Sequence, residues 1–190
     1  MIWFTSDWHI GHDKEFIWKC RGFKSVEDAA FQTLKNCNEF VEKTDTLYIL
    51  GDLALGQHEE LWNEVYSNIK CNDVHFLIGN HDTDRRVAKY DYEYNFICEG
   101  YATMFKYDKY NFYLSHYPTN TTNYDMDKPM KTRILNLSGH THSSDIFHGN
   151  LNACSYNVAL DAHINRPINI EDIIFDFKWL FLETYKKEGE

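Results

Sequence analysis

Gly79-Asn80-His81-Asp82 brings an amide oxygen, an imidazole and a carboxylate together within four positions. The run before it, Val74–Ile78, is short, apolar and rich in strand formers. The same arrangement recurs along the chain. Ile2–Ser6 leads into Asp7-Trp8-His9, and Thr46–Leu50 leads into Gly51-Asp52. Asn111–Ser115 leads into His116, and Ile134–Ser138 leads into Gly139-His140-Thr141-His142. Asp, Asn and His delivered to the carboxyl ends of strands point to a ligand site, because α/β sheets bind their ligands there. Carboxylate oxygen, amide oxygen and imidazole nitrogen together suit divalent manganese, iron, zinc or nickel. Two such ions about 3.5–4 Å apart need one shared carboxylate and can make a hydroxide near neutral pH. Asp52, at the end of the central strand of the first three, suits the shared position.

The elements that must carry these residues follow from periodicity. Ser25 reads as an N-cap, with Glu27 and Asp28 in the first helical turn. Ala29, Ala30, Leu34, Cys37, Phe40 and Val41 follow at helical spacing, predicting a helix to about residue 43. Leu61, Trp62, Val65, Tyr66 and Ile69 predict a second helix over 58–70. Strand, helix, strand, helix, strand argues for a parallel sheet. After Lys89 come short strand-like runs at 96–97, 101–107, 110–115, 134–138 and 156–160, with a hairpin at Lys109. These predict a second sheet packed face to face on the first. Ile170, Ile173, Ile174, Phe177, Leu180, Phe181 and Tyr185 predict a last helix capped by Asn169. Residues 117–131 read as the longest loop, bordering the site after His116. The expected fold is α/β (α+β), a four-layer sandwich of two mixed sheets flanked by helices, in one domain spanning 1–190.

Bulk properties narrow the function. The 19 basic and 29 acidic residues leave a net charge of −10, which on average repels nucleic acid and anionic membranes. Lys14, Lys19, Arg21 and Lys24 are the nearest approach to a basic patch. Five cysteines without a Cys-x-x-Cys pair fit reduced thiols in a cytoplasmic protein. No signal peptide and no apolar run of about 18 residues is evident. A monomer or a small homo-oligomer is expected.

In order, Asp7-x-His9, Gly51-Asp52, Gly79-Asn80-His81-Asp82, His116 and Gly139-His140-Thr141-His142 resemble the motifs of the calcineurin-like metallophosphoesterases. Each motif alone is weak, but all five in order, each after a strand, are specific. The resemblance implies that Asp7, His9, Asp52 and His142 hold one metal, and that Asp52, Asn80, His116 and His140 hold a second, with Asp52 bridging. Manganese is the first expectation. It implies that His81, not a ligand, stabilises the phosphoryl transition state or protonates the leaving oxygen, oriented by Asp82. It further implies in-line attack on phosphorus by a metal-bridging hydroxide. Protein Ser/Thr phosphatases of that superfamily carry Asp-Arg-Gly after Gly-Asp, and Gly-Asn-His-Glu. Here Leu53-Ala54-Leu55-Gly56 follows Gly51-Asp52, and the turn ends in Asp82. The expected activity is therefore a phosphodiesterase on small or nucleotide-derived esters. A phosphomonoesterase or nucleoside polyphosphate hydrolase is the alternative, and a non-catalytic scaffold the least favoured.

Asp7-x-His9-x-x-His12, with Asp161 and Arg166-Pro167, further resembles the small bacterial and phage members. His12, three residues from His9, and Arg85, just after the catalytic turn, are candidate substrate contacts, since arginine forks suit phosphate oxygens. His163 is a weaker candidate, and Tyr117 and Asn120 are candidate pocket walls. His58, His75 and His148 read as ordinary surface or core histidines.

Overall fold

The computed structural model describes residues 1–119, 130–148 and 155–187. Asn120 and most of the loop after His116 lie outside the described residues, as does Cys154. The elements run β1 (Ile2–Thr5), α1 (Glu15–Trp18), α2 (Val26–Phe40), β2 (Thr46–Ile49), α3 (Glu59–Tyr66), β3 (Asp73–Phe76), α4 (Asp84–Tyr92) and β4 (Ile97–Cys98). They continue with β5 (Ala102–Tyr107), β6 (Tyr110–Ser115), β7 (Ile134–Ser138), β8 (Phe147–His148), β9 (Ser155–Asn157), β10 (Ile168–Asn169) and α5 (Ile170–Lys187).

Two mixed five-stranded sheets result, flanked by helices. The first has the order β10-β1-β2-β3-β4. Its strands β1 to β4 are parallel, and β10 is antiparallel to β1. The second has the order β5-β6-β7-β9-β8. There β6, β7 and β9 are parallel and both edge strands are antiparallel.

Successive residues of a strand face opposite sides, and both sides of the first sheet are buried. Leu47, Ile49, Val74 and Phe76 meet Cys37 of α2, Trp62 and Val65 of α3 and Tyr90 of α4. Phe4, Tyr48, Leu50 and Leu77 face the other way, against Phe112, Leu114, Leu135, Leu137 and Tyr156 of the second sheet. Each such side chain contributes about 1.5–3 kcal/mol when fully buried. That double burial is why the strands read as continuous apolar runs rather than alternating ones. The apolar face of α5 (Ile170, Ile173, Ile174, Phe177) joins the core between the sheets.

Local signals hold where a side chain enforces them. Ser25 accepts the Asp28 amide at 3.1 Å, and Asn169 Oδ1 accepts those of Glu171 and Asp172 at 3.0 Å each. The hairpin turns at Asp108-Lys109 between Tyr107 and Tyr110. Boundaries differ where backbone geometry intervenes. The helix expected to reach residue 43 ends at Phe40, because Val41 is extended (φ −93°, ψ 119°). The one expected over 58–70 is the shorter α3. The run at 96–97 is not part of the second sheet: β4 pairs with β3 as the edge of the first. The run at 156–160 is strand only through Asn157 before a 3-10 turn at Leu160–Ala162.

The consequence for the site is directional. Parallel β1, β2 and β3 end on one rim, and parallel β6 and β7 end facing it. A bridge between Ser6 and Ala159 and a hydrogen bond from the Leu160 amide to the Ser6 carbonyl at 3.3 Å stitch the two sheets together there.

Candidate metal centre

The loops leaving β1 and β2 run side by side, with the amides of Asp7 and His9 donating to the carbonyls of Gly51 and Asp52 at 3.1 and 3.0 Å. The loops leaving β6 and β7 are joined likewise, through Gly139 N–H to His116 C=O at 3.0 Å. At this rim the backbone is strained. Asp7, His9, Asp52, His140 and His142 all have positive φ, at 59°, 50°, 55°, 74° and 51°. A non-glycine residue in the left-handed region costs on the order of 1–3 kcal/mol and persists where surrounding structure enforces it. The enforcement is visible. Each of the two aspartates spends one oxygen on a backbone amide: Asp7 Oδ2 accepts from His140 at 2.9 Å, and Asp52 Oδ1 accepts from His81 at 2.8 Å. The glycines preceding these turns leave the room. A Cβ at Gly79 would overlap the Asp52 carboxylate, and one at Gly139 would overlap the Asp7 carboxylate and the Ser6 hydroxyl.

The other oxygens face a shared space. Asp7 Oδ1 is buried without a hydrogen-bond partner. It lies 3.7 Å from His9 Nε2 and 3.8 Å from His142 Nε2, and those two nitrogens are 3.1 Å apart. Asp52 Oδ2 lies 3.7 Å from His9 Nε2 and 3.4 Å from His116 Nε2. His116 Nε2 is in turn 3.0 Å from Asn80 Oδ1 and 3.2 Å from His140 Nδ1. Two donor groups emerge, sharing Asp52 Oδ2: Asp7, His9 and His142 on one side, Asn80, His116 and His140 on the other.

These residues fit two metal ions. Bonds of about 2.1 Å place neighbouring ligand atoms about 3.0–3.4 Å apart in octahedral or tetrahedral sites, close to the spacing seen. Facing lone pairs, with an orphaned carboxylate oxygen, need a cation between them. The carboxylates are held ionised. Burial pushes Asp7 up, but the bond to His9 and the charges of His116, His9 and His142 outweigh it and hold it well below the usual range. Asp52 is also lowered, burial being outweighed by its contact with His116. For His116, burial is outweighed by the bond to Asp52 and the charges of Asp7 and Asp52, so its pKa rises. Its Nδ1 is taken up by the Leu50 carbonyl at 2.9 Å. A proton and a metal would therefore compete for Nε2.

His81 stands at the edge of this centre. Its side chain is 42% exposed, and its Nε2 is 4.0 Å from Asp52 Oδ2. Arg86, over the Trp62 ring, holds the His81 carbonyl at 2.6 Å and the Gly56 carbonyl at 2.9 Å. Asp82 does not orient the His81 ring. Its buried carboxylate accepts the amides of Asp52 (2.7 Å), Gly79 (2.9 Å) and Leu53 (3.2 Å), and the Tyr90 hydroxyl (3.2 Å). It is a staple for the turn that presents Asp52. Burial raises its pKa, against the amide bonds. Replacing Asp82 with alanine strands four donors, and each buried unsatisfied group costs about 1–3 kcal/mol. A loss of about 3 kcal/mol or more is expected in urea unfolding of the metal-free protein.

His12 is brought to the centre, its ring 5.7 Å from that of His9. Burial and the neighbouring imidazoles push it down to about 4, leaving it neutral at pH 7. Tyr117 also reaches the rim, 4.7 Å from the His140 ring. Arg85 does not: it is highly exposed and paired with Glu59 on α3. Nor does His163, which is buried with its Nε2 2.6 Å from the Asn157 carbonyl and its ring stacked on Tyr156. Two residues whose roles the sequence did not reveal lie behind His142. Asp161 contacts His142 Nδ1 at 3.1 Å, and Arg21 pairs with Asp161. Asp161 stood out by its motif context, but nothing in the spacing marked Arg21 as buried.

Comparison with known proteins agrees with this geometry. The family model for calcineurin-like phosphoesterases matches residues 1–184. An uncharacterized protein of Methanocaldococcus jannaschii is 24% identical over 176 residues, covering 91% of this chain and 89% of that protein. The gene 66 protein of Mycobacterium phage L5 is 26% identical over 180 residues, covering 84% and 86%. A protein of unknown function from Aquifex aeolicus shares the fold at a TM-score of 0.63 and 24% identity, covering 91% of this chain and 97% of its own. With the motifs in order and the donor groups assembled, the chain belongs to the calcineurin-like phosphoesterases, metal-dependent hydrolases of phosphoric esters.

Proposed function

We propose that this protein is a dinuclear phosphodiesterase acting on small or nucleotide-derived esters, with manganese as its first-choice metal. The observation that carries the reading is the pair of donor groups sharing Asp52 Oδ2 beside a solvent-facing His81. Bound at these groups, two divalent ions would activate water and neutralise charge on the phosphoryl oxygens.

The chain's own residues supply the rest. Asp7, His9, Asp52 and His142 would hold one ion, and Asp52, Asn80, His116 and His140 the other. His81 Nε2 faces the same space from the solvent side, where it would donate a hydrogen bond to a phosphoryl or leaving-group oxygen. Its backbone is fixed at both ends, by Asp52 at the amide and Arg86 at the carbonyl, so the ring is pre-positioned. Neutral His12 would offer a further polar contact to the ester. His81 and His142 both reach solvent, and an open rim leaves space for the second ester substituent of a diester.

Polymeric nucleic acid is disfavoured by the net charge of −10 and by the fate of the one basic patch. Lys19 pairs with Glu15, and Arg21 is buried against Asp161. No described helix is long and apolar enough to cross a membrane. We further propose, from the five scattered cysteines, a cytoplasmic protein, and a single domain over residues 1–190.

Hydrolysis of bis-p-nitrophenyl phosphate and p-nitrophenyl phosphate, side by side after chelation and Mn²⁺ add-back, tests the reading. Metal-dependent turnover favouring the diester is expected. A monoester preference would assign the site to phosphatases or polyphosphate hydrolases. No metal-dependent turnover of either ester would overturn the reading.

A further inference from the structure

Among the described residues, His142 is the one histidine of the two donor groups whose outward nitrogen meets a carboxylate outside those groups. His116 uses the Leu50 carbonyl instead, and His9 Nδ1 is buried without a partner. Behind His142, Asp161 Oδ2 lies 3.1 Å from Nδ1. Asp161 is itself clamped. Arg21 Nε donates to Oδ1 at 3.0 Å and Nη2 to Oδ2 at 2.7 Å. The Arg21 side chain is only 4% exposed, and Nη2 also donates to the Asp7 carbonyl at 2.8 Å. The fork is therefore registered to a residue of the same donor group. The Arg21 carbonyl accepts from Asn165 at 3.0 Å, and the Asn165 carbonyl accepts from Asn36 of α2 at 2.8 Å.

The chemistry turns on one proton. A neutral imidazole carries a single N–H, and the other nitrogen keeps the lone pair. With Asp161 accepting from Nδ1–H, the lone pair of Nε2 faces His9 Nε2 and Asp7 Oδ1. Arg21 Nη2 is also 3.4 Å from His142 Nδ1. Were Nδ1 to accept from Arg21 instead, the proton would sit on Nε2 and block it. The two bonds from Arg21 set Asp161 so that its oxygen, and not the guanidinium, takes Nδ1. His142 needs this help. It lies on a strained loop residue (φ 51°), and its side chain is 31% exposed.

Resting on the dinuclear reading above, we propose that Arg21 and Asp161 are positioning residues that fix the tautomer and direction of His142 and so set the affinity of the Asp7–His9–His142 site selectively. Partners of this kind change metal affinity by about 10–100-fold. Among the described residues, the second site, built on Asn80, His116 and His140, shares no hydrogen bond or ion pair with Arg21 or Asp161.

The test is calorimetric titration of metal-free protein with Mn²⁺. Wild type should take two equivalents. Asp161→Asn should take one with unchanged affinity and the other about 10–100-fold more weakly. Both equivalents at wild-type affinity would overturn the proposal. So would equal weakening of both, which is what a general structural loss produces. If Asp161→Asn fails to fold by circular dichroism, Arg21→Lys decides. It keeps the buried positive charge but loses the two-pronged fork, and the same selective weakening is expected; unchanged affinities would overturn the proposal. Wild type that binds fewer than two equivalents would instead sink the dinuclear reading, and with it the positioning role of Arg21 and Asp161.

Discussion

Replacing Asp52 with asparagine is expected to lower kcat/KM for a phosphate diester by about 1000-fold or more and to leave fewer than two tightly held metals. The expectation rests on one atom. Asp52 Oδ2 faces His9 Nε2 at 3.7 Å and His116 Nε2 at 3.4 Å, so it reaches into both donor groups. Asparagine keeps an oxygen that can accept the His81 amide, which Asp52 Oδ1 now does at 2.8 Å, so the turn should survive. What it removes is the negative charge that two dications would share. Losing several kcal/mol of charge stabilisation corresponds to about three decades in rate. Steady-state kinetics with metal analysis of the same sample checks this. Near-wild-type activity with two metals would mean that the bridge is elsewhere.

His81→Ala is expected to behave differently. Its kcat should fall about 100- to 1000-fold, the usual size for a lost transition-state donor or general acid, while both metals stay bound. The separation follows from what His81 touches. The parts of His81 that hold the turn together are its amide, on Asp52, and its carbonyl, on Arg86. Alanine keeps both. The ring is 42% exposed, so its removal opens no core cavity. A variant as fast as wild type would remove His81 from the chemistry. A variant that loses metal would make it a ligand.

The contrast between His81 and Asp82 shows what a sequence can carry. Both belong to the same four-residue turn, whose residue types pointed to a metal-rich site together with the four other strand-end motifs. The candidate donor residues could be grouped from the sequence because each follows a strand, and parallel strands sharing one rim bring their ends together. The role of Asp82 was not readable. The family resemblance implied a bond between the two side chains, but the carboxylate is turned inward onto three amides and Tyr90. Which way a side chain leaves a tight turn is decided by tertiary packing.

Arg85 and Arg21 teach the same lesson in opposite directions. Arg85, just after the Gly79–Asp82 turn in sequence, lies in the first turn of α4 and faces Glu59 across the surface. Arg21, one of the four residues that came nearest to a basic patch, is buried 14 residues beyond the Asp7 whose carbonyl it holds. At the level of the fold, long periodic segments such as α2 and α5 and the five strand–motif units were all anticipated. Two-residue strands were less legible: the run at 96–97 was expected in the second sheet but β4 pairs with β3 in the first, and β10, placed by pairing with β1, was not anticipated, because so short a run has no periodicity to read.

The most direct measurement is metal content against turnover. Metal-free protein would be reconstituted with Mn²⁺ in steps, and bound metal per chain would be measured beside diester hydrolysis at each step. Two equivalents per chain are expected, with most of the activity appearing as the second binds. Full activity at one equivalent, or two bound without any phosphoesterase activity, would contradict a dinuclear hydrolase built around Asp52.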